Sequence, residues 1–287
     1  MEREREFQLR GVRMAALEWN DKGIPVIAIH GWLDNAASFQ PIAPLLQNSH
    51  LLAPDLIGHG HSGHLPEAAD YHLSDSCRWI VGLADAMGWE RFALIGHSMG
   101  ASVASITAAA VPDRVAGLVM IDGIGPLAVR PEQEVKRLRL LFDEEAKGAK
   151  QPRPWVDLAS AVKVRQRLGR FAISTDAAML IARRGMRKTD DGYLWRHDER
   201  LQGAGTHYYS EEQAETILRN IESPSLLISA DDGALTGWDG LEPRKACVPQ
   251  LRHVEMHGCH HLHMEHPQAV AMVINDFLDG LEWSLPL

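Results

Sequence analysis

The chain has 287 residues, 45% of them hydrophobic and 23% charged, with a formal net charge of −9. That is ordinary globular composition and enough sequence for one large domain with an insertion. The negative balance argues against a nucleic-acid partner, and no apolar run approaches the ~20 residues of a membrane span.

In chain order, the opening stretch from Met1 to Glu6 is charged and lacks the apolar centre of a signal peptide. Phe7 to Leu17 alternates weakly around Arg10-Gly11, which predicts a hairpin. Val26 to Ile29 is short and fully apolar, as in a parallel strand buried on both faces, and it ends at His30-Gly31-Trp32. Leu51 to Ala53 predicts the next strand, ending at Pro54-Asp55. Ser74 is placed to cap a helix on which Cys77, Val81, Ala84 and Met87 recur at helical spacing. Strands are expected at Phe92 to Ile95 and at Leu118 to Ile121, the latter ending at Asp122-Gly123. A helical run of small and β-branched residues, Ala101 to Val111, lies between them. Strands alternating with helices imply crossovers and a mainly parallel sheet.

From Pro126 to Asn220 no strand pattern recurs. Glu134 to Phe142, Val156 to Leu168 and Ala177 to Met186 read as amphipathic helices, with a loop at Gln151-Pro152-Arg153-Pro154. We expect a helical cap over residues 126–220, inserted into a core formed by 1–125 and 221–287. The insertion has 18 basic against 14 acidic residues, and the remainder 11 against 24. Solvated helix faces account for this; a basic lid that favours anionic substrates is the alternative. Strands resume at Pro224 to Ser229 and Val254 to Met256. A last helix runs from Pro267 to Leu281, with Val270, Val273, Phe277 and Leu278 inward.

Gly96-His97-Ser98-Met99-Gly100 carries the chemistry. G-x-S-x-G between an apolar strand and a helix is a nucleophile elbow, in which a sharp turn lifts the serine hydroxyl clear of the sheet. A serine hydroxyl is a weak nucleophile at neutral pH, so it needs a base, an acid to orient that base, and an oxyanion stabiliser. The Met99 N–H, following the nucleophile at a helix start, supplies one oxyanion donor. The base belongs late in the chain, where His257-Gly258-Cys259-His260-His261-Leu262-His263-Met264-Glu265-His266 supplies several imidazoles.

These pieces, with Pro54-Asp55-Leu56-Ile57-Gly58-His59-Gly60-His61-Ser62, resemble the α/β-hydrolase fold superfamily in its serine hydrolase or esterase-like branch. The resemblance covers the chain outside the insertion. It implies a mainly parallel central sheet flanked by helices. It also implies Trp32 as the second oxyanion donor and hydrolysis of a small-molecule carboxylic ester, with no cofactor and no metal. Counting from Gly258 selects His261 as base; counting back from Glu265 selects His260. Position relative to the strand end favours His261. Relatives place the acid in a G-x-x-D turn, which here reads Ala230-Asp231-Asp232-Gly233, with glycine where the acid belongs. Some branches carry it after the preceding strand, which favours Asp122 over Asp232. Lactonase, thioesterase, amidase and carbon–carbon bond hydrolase share this chemistry, and a non-catalytic ligand-binding homologue is a further alternative. A metal site at His59-Gly60-His61-Ser62-Gly63-His64 lacks a carboxylate. Gly192-Tyr193-Leu194-Trp195-Arg196-His197-Asp198 either frames the pocket or clamps the insertion. Cys77, Cys247 and Cys259 are odd in number and lack zinc-type spacing, so they read as reduced thiols in a cytoplasmic protein. The assembly state stays open, a homodimer included.

Overall fold

The computed structural model describes residues 2–148, 153–168, 171–203 and 207–283; Met1 and the Gln151-Pro152 part of the expected loop lie outside them. The hairpin forms from β1 (Glu2–Leu9) and β2 (Val12–Trp19), with Arg10 and Gly11 both at positive φ in the turn. Then come β3 (Ile24–Ile29), β4 (Ser49–Pro54), α1 (Leu73–Ala86), β5 (Phe92–His97), α2 (Met99–Ala110) and β6 (Val115–Ile121). The insertion holds α3 (Glu134–Ala146), α4 (Leu158–Leu168), α5 (Thr175–Gly185), β7 (Met186–Thr189), β8 (Gly192–Trp195) and α6 (Glu211–Arg219). The chain closes with β9 (Ser225–Asp232), α7 (Leu241–Cys247), β10 (Leu251–Cys259), α8 (Leu262–Glu265) and α9 (Pro267–Asp279).

Eight strands form one sheet in the order β1-β2-β4-β3-β5-β6-β9-β10. β1–β2 and β2–β4 pair antiparallel, and every later pairing is parallel. The central strands β5 and β6 are buried at every residue, because helices cover both faces. One apolar layer packs α1 and α2 against one face through Ile80, Leu83, Val103 and Leu118; the other packs α9 against the opposite face through Ile95, Ile228, Ile274 and Phe277. All three cysteines are free thiols. Among the described residues no helix is long and apolar enough to cross a membrane.

Two local expectations need correction, and one start signal was not read. The insertion is not wholly helical: Asp190-Asp191 turns the chain between β7 and β8, which pair antiparallel. Their four-residue length is too short for an alternation to register. Ser74 does not cap α1, which starts two residues earlier than that cap implies, at Leu73, with His72 at the cap position and no side-chain bond there. α6 opens with a capping box of Ser210 and Gln213, a start signal that went unread.

Arg244 of α7, 3% exposed, sits where the insertion meets the core. Its Nη1 donates to the carbonyls of Ile124 (2.7 Å) and Pro126 (2.8 Å), where the chain leaves β6. Its Nε and Nη2 donate to Glu211, at the start of α6. Ala161, Val162, Ala178, Ile181 and Ala182 of the insertion form an apolar cluster that also takes in Met264 of α8, with Trp195 packed on it.

Candidate active site

β5 and α2 meet at Ser98, which has φ 54° and ψ −116°. A non-glycine residue at positive φ outside a helix is strained, and the surrounding packing must hold it there. A Cβ on Gly96 would lie 2.3 Å from the Gly100 carbonyl oxygen, and one on Gly100 2.0 Å from that of Ile29. Strand and helix therefore touch backbone to backbone, which fixes the corner. The Ser98 side chain faces a cavity of about 1200 Å³ also lined by Trp32, Asp34, His97, His260 and His261.

His260 stands beside Asp122, and the expected base His261 stands beside a different acid, Asp34. The His260 Nδ1–H donates to Asp122 Oδ2 at 2.6 Å, both side chains being buried. That bond assigns the tautomer and leaves Nε2 as the free lone pair. β10 runs to Cys259, beyond the expected strand end at Met256, and its pairing with β9 shifts register between Met256 and Cys259. His261 instead turns its Nε2 to Asp34, at 3.4 Å. Among the described residues Ser98 Oγ makes no hydrogen bond to either imidazole; such contacts commonly tighten only with substrate in place.

Asp122 closes β6 at φ 46°. Its Oδ1 accepts from the Ala230 N–H (3.2 Å), and its Oδ2 also accepts from that of Ala234 (2.7 Å). A Cβ on Gly233 would lie 2.4 Å from Asp122 Oδ2. The carboxylate from β6 thus fills the space beside the turn after β9, and glycine stands there for that reason. Asp232 is exposed, and its neighbour Asp231 binds the exposed His257 and the Gly258 N–H.

The loop after β3 is held from several sides. His30 Nδ1–H donates to the Gly31 carbonyl (2.7 Å), and its Nε2 accepts from the Leu56 N–H (3.0 Å). The Trp32 indole N–H donates to the Leu201 carbonyl (2.9 Å). Arg165, from α4, donates to the Leu33 carbonyl (3.1 Å) and to Asp34. Burial alone would raise the Asp34 pKa; Arg165, then His261 and His97, hold it well below the usual carboxylate range. His97 Nε2–H donates to the His260 carbonyl at 2.9 Å. Sequence reasoning missed Asp34 and Arg165. Asp34 follows the His30-Gly31-Trp32 motif by two residues, and its partners Arg165, His97 and His261 come from three distant segments.

His59, His61 and His64 do not converge on one point. His59 packs on the His30 ring, His61 pairs with Glu4, and His64 bonds the Arg196 carbonyl. Asp198 accepts from the Tyr71 hydroxyl and from Arg200, and its N–H donates to the Gly58 carbonyl, so this run clamps insertion to core. At the cavity mouth Arg187 and Arg196 have no ion-pair partner among the described residues. Burial, then Arg187, Arg13 and Arg184, lower the Arg196 pKa.

Several imidazoles are kept neutral. Burial pushes His59 well below its ordinary range, and burial followed by Arg165 brings His197 down to about 4. An unfolded chain binds those protons below about pH 6.5, whereas the folded protein resists them. Stability should therefore fall as pH drops from 6.5 towards 4 for His197. Thermal melts across that interval are expected to show a falling Tm, with a shallower slope in His197→Gln. A Tm independent of pH there would contradict this account.

A sequence profile of the alpha/beta hydrolase fold family matches residues 24–267. The serine hydrolase-like protein of Danio rerio is 30% identical over 266 residues, which cover 89% of this chain and 82% of that one. Serine hydrolase-like protein 2 of Homo sapiens is 29% identical over 285 residues, covering 92% and 90%. A crystal structure of a hypothetical protein from Pseudomonas aeruginosa PAO1 superposes with TM-score 0.89 at 36% identity, covering 96% of this chain and 99% of the other. The thioesterase domain from the curacin biosynthetic pathway gives TM-score 0.82 at 26% identity, covering 96% and 99%. With a sheet, an elbow and a profile match across most of its length, the chain belongs to the alpha/beta hydrolase fold family.

Proposed function

We propose that this protein hydrolyses carboxylic esters through an acyl-enzyme on Ser98. The observation that carries this reading is the 2.6 Å bond from His260 to Asp122, set behind a strained serine on the wall of one cavity. Ser98 Oγ attacks the ester carbonyl carbon while His260 Nε2 takes its proton. Asp122 fixes the ring and stabilises the imidazolium. The oxyanion is met by the backbone N–H groups of Met99 and Trp32, each contributing about 3 kcal/mol. Imidazolium returns the proton to the departing alcohol, and water, deprotonated by the same nitrogen, releases the acid. Residues 126–220 act as a cap: Ala161, Val164, Arg165, Leu194 and Trp195 of that segment line the cavity. The free thiols support a reducing compartment such as the cytoplasm.

A fluorophosphonate should form one adduct per chain, on Ser98, and p-nitrophenyl butyrate should be turned over by the wild type and not by Ser98→Ala. An unlabelled Ser98 in folded protein would favour the non-catalytic reading.

The unpaired Arg187 and Arg196 at the mouth support esters bearing a second, anionic group. The guanidinium of Arg196 is partly buried and attracts a carboxylate more strongly than a solvated one does, and the exposed Arg187 adds its field. Mono-p-nitrophenyl glutarate is expected to show a higher kcat/KM than p-nitrophenyl butyrate. Arg187→Gln with Arg196→Gln should reverse that order by about tenfold, the equivalent of 1.4 kcal/mol, and added salt should weaken it. Equal kcat/KM values for the two esters would refute the preference.

A further inference from the structure

The residues flanking the proposed catalytic groups form a second constellation. Asp34, His97 and His261 each bring one ligand-type atom to a common point on the cavity wall, the three atoms lying within 4.8 Å of one another. Asp34 Oδ2 is 3.4 Å from His261 Nε2 and 3.8 Å from His97 Nδ1. A tetrahedral Zn²⁺ with bonds of 2.0–2.1 Å spaces its ligands roughly 3.3 Å apart. Small side-chain movements therefore close the set.

Three features go beyond proximity. His97 spends its Nε2–H on the His260 carbonyl, so Nδ1 presents a lone pair; that nitrogen is buried and has no hydrogen-bond partner among the described residues. A buried nitrogen without a partner is costly and favours an occupant. Arg165 holds the other oxygen of Asp34, leaving Oδ2 free of it. Metal-binding imidazoles and carboxylates carry outer partners of this kind, which fix tautomer and orientation. Finally, all three residues line the cavity, which provides an entry path and room for a water as fourth ligand.

We propose that Asp34 Oδ2, His97 Nδ1 and His261 Nε2 bind a divalent transition ion such as Zn²⁺, and that the bound ion inhibits the hydrolase. Two imidazoles and one carboxylate suit Zn²⁺, Co²⁺ or Ni²⁺ and disfavour Mg²⁺ and Ca²⁺, which require oxygen donors. The Arg165 cation opposes the ion, so binding is reversible and weaker than at a structural zinc site. Ligation through Nε2 requires the neutral His261 tautomer that carries its proton on Nδ1. The ion then ties the neighbour of Ser98 to the neighbour of His260 and fills the wall between them. Its site is independent of the proposed acyl chemistry; the inhibition rests on it.

Titration of the full, chelator-treated chain with ZnCl₂ and CoCl₂ tests this. One ion per chain is expected, with visible absorption bands of four- or five-coordinate Co²⁺. His97→Gln and His261→Gln should each bind about 10- to 100-fold more weakly, while His257→Gln, exposed and outside the set, binds as the wild type does. X-ray absorption of the wild-type zinc complex frees the test from the folding of any variant and should show two imidazole nitrogens with oxygen donors. No stoichiometric binding, or binding untouched by both histidine variants, overturns the site. Zinc bound while p-nitrophenyl butyrate turnover continues overturns the inhibition. Zinc bound by a chain that is inert to every ester even when zinc-free supports the site and refutes the proposed function.

Discussion

Exchanging His260 for glutamine is expected to lower kcat on p-nitrophenyl esters by about 10⁴- to 10⁶-fold, whereas His261→Gln retains the greater part of the activity. Adjacent residues of one type make a stringent comparison, because both are buried and both line the cavity. Only His260 has Nδ1 tied to a carboxylate held by two backbone N–H groups, an arrangement that fixes the ring and favours the imidazolium. Asp122→Asn should lose about 10⁴-fold through the wrong tautomer, and Asp232→Asn should stay close to wild type. Near-ultraviolet circular dichroism would show that each variant keeps its packing. If His261→Gln proved the inactive member of the pair, the assignment of the base would be wrong.

The largest stability loss is expected from Arg184→Met. Arg184 reaches from α5 into the core and is only 8% exposed. Its Nε donates to both oxygens of Asp55 (3.0 and 2.9 Å), and Nη1 and Nη2 donate to Glu4 on β1 (2.8 and 2.9 Å). Asp55 is fully buried and also accepts from the Ala36 and His61 N–H groups. Removing the guanidinium strands that carboxylate, and breaking a buried pair from one side costs about 3–5 kcal/mol. Urea unfolding should show the midpoint shift at nearly constant m. Arg184→Lys should recover little, since an ammonium cannot fork between two carboxylates. A midpoint within error of wild type would show that the ion pair contributes no net stability.

What the sequence made legible is what depends on neighbours along the chain. Val26 to Ile29 and Phe92 to Ile95 are apolar throughout because both faces of the sheet are covered, and such runs need no partner to be read. The elbow is equally local, since Gly96 and Gly100 are dictated by one corner of backbone. The preference for Asp122 rested on an absence, glycine at 233 where the turn acid belongs, and the Asp122 carboxylate occupies the space beside that glycine. The choice between His260 and His261 was not local. It turns on a register shift near the end of β10, and one residue of slip moves a side chain to another face. Arg165 and Arg184 were invisible for a further reason. Each sits on an amphipathic helix where a charged residue reads as solvated, and only the docking of the insertion places it against Asp34 or Asp55.

The pinning of both ends of the insertion by Arg244 bears on how the molecule assembles. β6 and β9 are neighbours in the sheet, yet the whole insertion lies between them. As an unstructured tether it would make that pairing entropically expensive. With an apolar cluster built mainly from its own residues and its two ends drawn to one guanidinium, the excursion can form early and behave as a short link. Each halving of the effective tether returns about 0.6 kcal/mol to closure. The same arrangement lets selection rewrite the excursion without touching the strand order, so a new specificity can be acquired on an unchanged chassis.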